Sequence, residues 1–432
     1  MKRKLLSTLL ASVMVLSLVG CAKEADTEPA TTEPAIVEET VAEVVKETET
    51  EAAEETIVET VEETIEEIKS KPARNTSSVV TPAELSDDLY DFQISIDGTV
   101  YQFPMWASDF EALGWTYDGD ASQTLSSNQY TVAETWNKGE ISVYTQIANL
   151  SMNTISISDA MIAGITLEDY YLDECDWEII LPKGIQFGVS GIEDIIAAYG
   201  DPTDDYDSET YYKMTYEKDY YQEINIYVSK ETNIIDKIEI ENMVELEGAD
   251  NSVNEEVPDV VKNYKAPAAL GNDLYGFDIE LEGHLYTLPC PVSELLANGF
   301  TINEDNSETA FGAQGSGWLE LVYNNQKYHT IVRNYADYAT TGENCFLTDI
   351  KSSCFEPDYN LVIPCGIKRG DSEDSILAIL KDYNYEVEQS ENSDFTYYLV
   401  YDPEGSPLQS YTIVTENGEV VIIEAETETK PE

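Results

Sequence analysis

The stretch Asp88-Leu-Tyr-Asp-Phe-Gln-Ile-Ser-Ile-Asp-Gly-Thr-Val-Tyr-Gln-Phe-Pro104 returns 185 positions later as Asp273-Leu-Tyr-Gly-Phe-Asp-Ile-Glu-Leu-Glu-Gly-His-Leu-Tyr-Thr-Leu-Pro289. Solenoids repeat every roughly 20–50 residues, so a period this long marks a domain duplicated in tandem and not a stacked array. The register holds on both sides of the match. Pro82-Ala-Glu-Leu answers Pro267-Ala-Ala-Leu, Ser108 answers Ser293, and Gly114 answers Gly299. Whatever fold one copy adopts the other must adopt too, and each copy must bury a core of its own.

Within each copy, Phe92, Ile94 and Ile96, or Phe277, Ile279 and Leu281, alternate with more polar residues and then meet Asp97-Gly98 or Glu282-Gly283. Alternation of period two is the mark of a half-buried strand, and a two-residue turn with both φ values positive favours Gly at its second place. The stretch therefore predicts a β-hairpin. Downstream, Ser108-Asp-Phe-Glu111 has the spacing of a capping box and Gly114 stands where a helix of about two turns would end. Alternating segments at Tyr130–Trp136 and Glu140–Ile147 flank Asn137-Lys-Gly139, with a third from Thr154. In the second copy, Trp318–Tyr323 and Lys327–Val332 flank Asn324-Asn325.

The second half of the first repeat runs from Leu181-Pro-Lys-Gly-Ile-Gln-Phe-Gly188 into another capping box, Ser190-Gly-Ile-Glu193. Ile192, Ile195, Ile196 and Tyr199 share one helical face, which Gly200 and Pro202 close. Its counterpart runs from Ile363-Pro-Cys-Gly-Ile-Lys-Arg-Gly370 to Ser372, with Ile376, Ile379, Leu380 and Tyr383 as the face. Three strands follow in each copy: Tyr211–Tyr216, Glu223–Val228 and Lys237–Ile240, then Phe395–Tyr401, Leu408–Val414 and Val420–Ile423. The expected fold class is α+β, a tandem duplicated domain in which each repeat is built of short helices packed on antiparallel β-meanders. The first repeat spans 82–243, a linker 244–266, the second repeat 267–426, and a tail 427–432.

Gly184, Gly188, Ser190, Glu193, Gly200 and Pro202 form a Gly-rich lead-in, a capped helix and a Gly-x-Pro exit before a meander. This pattern resembles the small α+β module of the SmpA/OmlA outer-membrane lipoproteins and the β-lactamase-inhibitor-protein-like fold. The resemblance implies a non-enzymatic protein that binds other proteins through its sheets and loops. Lys381-Asp-Tyr-Asn384 departs from the Gly-x-Pro exit in the second repeat, and the acidic stretch that precedes the repeats is foreign to that family.

The N-terminus gives an address. Met1-Lys-Arg-Lys4, an apolar run from Leu5 to Val19, and Leu18-Val-Gly-Cys21 make residues 1–20 a secretion signal that ends at a cysteine. The last four residues resemble the lipobox of bacterial lipoproteins. That resemblance implies diacylglycerol on the Cys21 thiol, cleavage before it, and acylation of the new N-terminus with a fatty acid such as palmitate. Each buried CH₂ contributes roughly 0.8 kcal/mol and one chain holds only marginally, so two or three chains give a stable anchor. Residues 21–81 then shift to Glu, Thr, Val and Ala with Pro29 and Pro34, a composition that reads as a disordered acidic stalk. As a coil of about 60 residues it averages roughly 45 Å end to end. The expected location is the extracytoplasmic face of the bacterial cell membrane, reached through the lipid anchor.

Charge narrows the partners. A net charge of −62 with 23 basic residues leaves no patch able to neutralise phosphates, which excludes nucleic acid and favours cationic partners. Of six cysteines, Cys21 is taken by lipid. The remaining Cys175, Cys290, Cys345, Cys354 and Cys365 are odd in number, lack metal-site spacing, and leave open which of them form disulfides. The two histidines, His284 and His329, fall near hairpin turns and read as surface residues. Asp201, Asp204, Asp205, Asp207 and Glu209 lack the central Gly of a calcium loop and read as a solvated acidic loop. No nucleophile elbow, phosphate loop or dinucleotide fingerprint is present, so neither a catalytic residue, a metal ligand nor a cofactor is assigned.

Tyrosine is the more informative residue type, with 29 in the chain. In Glu223-Ile-Asn-Ile-Tyr-Val228 the apolar set is Ile224, Ile226 and Val228, which places Tyr227 on the polar face with Glu223 and Asn225. An aromatic ring on a hydrated sheet face is a contact point for protein or glycan, and Tyr227 is the candidate ligand-binding residue. The expected function is a surface-tethered lipoprotein acting as a non-catalytic binding module for an envelope or extracellular protein or glycan. A structural or envelope-assembly lipoprotein, and an enzyme of unrecognised type, are the alternatives.

Overall fold

A computed structural model describes residues 81–431 apart from 173–176, 355–358, 391–392, 406–408 and 428. The predicted signal sequence, Cys21, the predicted acidic stalk before residue 81, and Cys175 lie outside the described residues. Among those described, no helix is long and apolar enough to cross a membrane.

The repeated stretch forms a hairpin in both halves. Gln93–Ile96 pairs with Thr99–Gln102 through Asp97 (φ 48°) and Gly98 (φ 74°), and Asp278–Leu281 pairs with His284–Thr287 through Glu282 (φ 51°) and Gly283 (φ 82°). Glycine takes this left-handed backbone without steric cost, which fixes the turn and therefore the register. Ile94, Ile96, Ile279 and Leu281 face inward and are buried. Each hairpin is widened to four antiparallel strands, by Ile179–Leu181 and Ile185–Gln186 in the first half and by Leu361–Ile363 and Ile367–Lys368 in the second.

The remaining strands make larger antiparallel sheets, and here the halves part company. In the first half one ten-stranded sheet runs unbroken through Met161–Glu168, which pairs with Ile141–Asn149 on one side and Ile235–Asn242 on the other. A bulge between Ile162 and Gly164 lets this strand serve both neighbours. Gly164 is required for the fit, since a Cβ there would lie 2.3 Å from the Ile240 carbonyl oxygen. The second half has Asp349 at the matching place. There Phe346–Leu347 and Asp349–Ser353 are separate strands joined through Thr348, and they belong to two different five-stranded sheets.

The fold is thus β-rich, and this corrects the α+β expectation of short helices packed on meanders. Helices do form near the predicted places, at Ala107–Ala112, Ile192–Tyr199, Val292–Ala297 and Glu373–Leu380. None exceeds eight residues, and each puts only one or two side chains wholly into the core, such as Phe110, Ile195, Leu295 and Ile376. Strand side chains supply most of both cores. Two caps also differ from the sequence reading. Ser108 lies inside its helix, whose N-cap is Trp106. Gly191 precedes the 192–199 helix, and its N–H donates to Asp194 at 3.0 Å while the Ser190 hydroxyl accepts from Gln186 N–H at 3.0 Å. Ile196, assigned to the buried face, is 40% exposed. Ser372 does cap its helix, accepting from Ser375 N–H at 3.3 Å.

The two halves are tied to each other directly. Asn149 and Asn334, 185 positions apart, are both buried and do the same work, each donating to three loop carbonyls: those of Leu125, Ser126 and Asn153, and those of Phe311, Gly312 and Tyr338. The loops so shaped meet. Ala313 N–H donates to Met152 O at 2.7 Å, Ser127 N–H to Ala313 O at 3.3 Å, and Thr154 N–H to Asp337 O at 3.1 Å. Asn153 completes the joint, accepting from Ala339 N–H at 2.8 Å and donating to the carbonyls of Asp250 and Ser252 at 3.0 Å each. The 244–266 stretch is therefore laid against both halves, with Asn254 bridged to Thr340 and Asn344 donating to Glu256 O.

Candidate binding face

Four strands at one end of the ten-stranded sheet, Asp204–Asp207, Tyr211–Asp219, Gln222–Ser229 and Ile235–Asn242, carry the candidate residue. Their inward positions, Met214, Tyr216, Ile224, Ile226, Val228, Ile238 and Ile240, are buried. Because side chains alternate across a strand, the intervening residues share the opposite face. On it Tyr206, Lys213, Tyr227, Lys237 and Glu168 stand side by side across five strands. A second row runs Asp204, Thr215, Asn225, Glu239, Thr166 and Tyr144.

Tyr227 is at the centre of this face and is held from several sides. Its hydroxyl donates to Glu239 Oε2 at 2.8 Å, and Lys237 Nζ lies 2.9 Å from the other Glu239 oxygen and 5.1 Å from the ring centroid. Lys213 Nζ lies 5.8 Å from the same ring, and Tyr211 meets it edge-on at 5.3 Å. Tyr206, 59% exposed, extends the aromatic line past Tyr211 at 6.2 Å. Beneath them the buried Asn225 accepts from Thr215 at 2.7 Å and donates to Glu223 at 2.7 Å.

Burial, and then the bond to Glu239, push the Tyr227 phenol well above its ordinary pKa. Desolvation pulls Lys237 down, but the hydrogen bond and charge of Glu239 outweigh it and leave the ammonium above its usual range. Burial raises Glu241, with Gln146 opposing and Glu223 and Glu239 adding to the rise. At neutral pH the face therefore offers the Tyr227 phenol in its neutral form beside the Lys237 ammonium, groups suited to recognition through hydrogen bonds and ring contacts.

Among the described residues the second half lacks this cluster. The bulge that follows Tyr227 has its counterpart after Val414, which is buried, and the neighbouring outward residues are Leu399, Thr412, Glu424 and Lys351. What the second half has instead was not foreseen. Glu320, with its side chain 1% exposed, accepts from Lys327 Nζ at 2.7 Å, from Asn306 at 2.7 Å and from Asn303. His329 Nδ1 lies 3.4 Å from Glu320, and its ring stacks on the exposed Trp318 at 5.4 Å. The signal was present in the turn: a two-residue Asn324-Asn325 connection sets Glu320 opposite His329 and Trp318 opposite Ile331. The Lys327 and Asn303 hydrogen bonds hold Glu320 down at a pKa of about 2.

The other sequence candidates are dispersed. His284 opens a strand 6.4 Å from the Tyr323 ring. Asp204, Asp205 and Asp207, read as part of a solvated loop, belong to an edge strand in which Asp205 accepts from Tyr212 and Asp207 pairs with Lys230. Cys290, Cys345, Cys354 and Cys365 are free thiols, the first two buried. Comparisons with protein-family models, with curated proteins and with solved structures gave no match.

Proposed function

We propose that the chain is a lipid-anchored protein on the extracytoplasmic face of a bacterial membrane, tethered through Cys21, and that it binds an envelope or extracellular protein or glycan without chemical turnover. The observation that carries this reading is the Tyr206–Tyr211–Tyr227 line with its flanking lysines on the open face of the first-half sheet. Rings fixed by neighbours lose little conformational freedom on binding, and ring faces serve protein and sugar ligands alike. The resemblance of the Gly184-to-Pro202 stretch to protein-binding lipoprotein modules points the same way. The test is retention of the full-length protein on purified cell-wall polysaccharide and on envelope proteins. Tyr206→Ala and Tyr227→Ala should each weaken retention, and unchanged retention by both would remove this face from the function.

One observation favours the enzyme reading. The Glu320–His329 pair has a carboxylate orienting an imidazole beside a lysine, an arrangement compatible with general acid–base work. Hydrolysis of an envelope substrate that His329→Gln abolishes would establish it in place of a binding role.

A further inference from the structure

Next to Tyr216, on the side of the Tyr211–Asp219 strand opposite Tyr227, the first half has a solvent-open cavity of about 370 Å³, within the range of small-ligand sites. Three tyrosine rings, Tyr90, Tyr199 and Tyr216, line it together with Asp87, Asp88 and Lys183. Two of the rings are fixed by their hydroxyls: Tyr216 donates to Gly200 O at 3.0 Å and Tyr199 to Pro182 O, and these two rings meet edge-on at 5.6 Å. Asp88 is occupied by the N–H of Tyr90 at 3.0 Å, while Asp87 is exposed and has no partner among the described residues. Lys183 donates to Ala198 O at 2.6 Å with its Nζ 5.8 Å from the Tyr199 ring, so one ring face already accommodates an ammonium group.

The same frame in the second half carries neither the Asp87 carboxylate nor the Lys183 ammonium. Asn272 stands for Asp87, Cys365 for Lys183, Tyr275 for Tyr90 and Tyr383 for Tyr199. Lys183 and Cys365 are each the middle residue of a Pro-x-Gly turn and share a positive φ, 58° and 66°. There Tyr383 donates to Asn272 O at 2.8 Å, Cys365 Sγ lies 3.1 Å from that oxygen, and the Tyr275 ring meets Tyr383 edge-on at 5.2 Å. Asn384 donates to the Tyr275 hydroxyl through both its N–H, at 2.9 Å, and its Nδ2, at 3.1 Å. Asn272, Cys365 and Tyr383 thus contact one another directly, with Tyr275 packed on Tyr383.

We propose that the first-half cavity binds an alkylammonium group, presented either by a free amine or by a lysine side chain of a peptide. Electron-rich ring faces attract cations, and the unpaired Asp87 carboxylate supplies the counter-charge. An anion is disfavoured, because the one ammonium lining the space is committed to Ala198 O and two carboxylates stand beside it.

The experiment is calorimetric titration of the full-length protein in detergent with butylamine, Nα-acetyl-lysine methylamide, a short lysine peptide, and the Nε-acetylated form of each lysine ligand. The charged ligands are expected to bind saturably and the acetylated ones to bind at least about five-fold more weakly. Asp87→Asn should weaken binding about three- to five-fold with an unchanged melting temperature, since Asp87 is exposed. Tyr90→Leu should weaken it similarly, whereas Val387→Ala, at an exposed position of the second half, should leave it unaltered. A lysine peptide that binds ten-fold tighter than butylamine identifies a protein partner; equal affinities identify a free amine. Equal binding of charged and acetylated ligands, no saturable binding at all, or an Asp87→Asn variant that binds like wild type would each overturn the proposal.

Discussion

Asn153→Ala removes four side-chain hydrogen bonds from the joint between the halves in one step, the weakest of them to Ser252 Oγ at 3.5 Å. Its largest effect falls on the N–H of Ala339, a residue with no exposed surface, which loses its acceptor at 2.8 Å. A buried donor left unpaired costs about 1–3 kcal/mol, and an ordinary hydrogen bond contributes about 1 kcal/mol net. The carbonyls of Asp250 and Ser252 lie in more exposed chain and can turn to water, so together they add at most about 1 kcal/mol. The expected destabilisation is about 3 kcal/mol. Urea unfolding followed by tryptophan fluorescence measures it, because Trp115 and Trp136 report on the first half and Trp318 on the second. Limited proteolysis supplies the local readout. Residues 244–266 are acidic and small enough to invite cutting, yet in the wild-type protein they should resist until the joint opens, and in the variant they should be cut first. Cutting of native wild-type protein between 244 and 266, or a variant within about 0.5 kcal/mol of wild type, would show that the joint does not hold the halves.

Cys21→Ala should shift the protein from the membrane fraction to soluble material or uncleaved precursor, as read by fractionation and mass. Burial, aided by Glu424 and Glu426 and opposed by Lys351, raises Asp349 to a pKa of about 7. The folded state then holds this proton more tightly than the unfolded chain does, so its contribution to stability is full below about pH 4 and is lost as pH rises through about 7. Asp349→Asn should flatten that part of the pH–stability curve, and an unchanged slope would contradict the burial assigned to it. Glu320 has the opposite sign: its lowered pKa contributes stability above about pH 4.3 that disappears as pH falls toward about 2. Glu320→Gln should cost about 2 kcal/mol at pH 7 through the loss of charge-assisted bonds, measured by urea unfolding, and should remove this acid-side loss.

Local signals in the sequence carried the local structure. The Gly98 and Gly283 turns, the Asn324-Asn325 turn and the alternation that sets Tyr227 apart from Ile224 and Ile226 all act within a few residues, so they can be read without knowing the fold. Capping patterns misled at Ser108 and Ser190 because a Ser-x-x-Glu spacing also fits residues one step inside or outside the true helix start. Asp204–Asp207 reads as loop by its charge, yet an edge strand needs only backbone pairing and can leave every side chain in water. Fold class was misjudged because well-marked helix ends say nothing of how little core a helix of eight residues covers. The continuity of the first-half sheet turns on the close approach permitted at Gly164. The joint was out of reach for a different reason: Asn149 and Asn334 match in the repeat, but the loops they shape meet residues far away in sequence.

Two separate copies of one chain that pair through equivalent loops are bound to symmetry, and every mutation appears on both sides of the axis at once. Joining the copies end to end, with Asn153 and the 244–266 stretch locking them, lifts that obligation. A substitution can then place a carboxylate in one half where its twin keeps an amide, as at Asp87 and Asn272, or an aromatic ring where the twin keeps a short aliphatic side chain, as at Tyr227 and Val414. Duplication with a fixed partner gives such a protein a spare: one half can preserve the architecture while the other is free to acquire a specialised surface, and the assembly never depends on the concentration of a second chain.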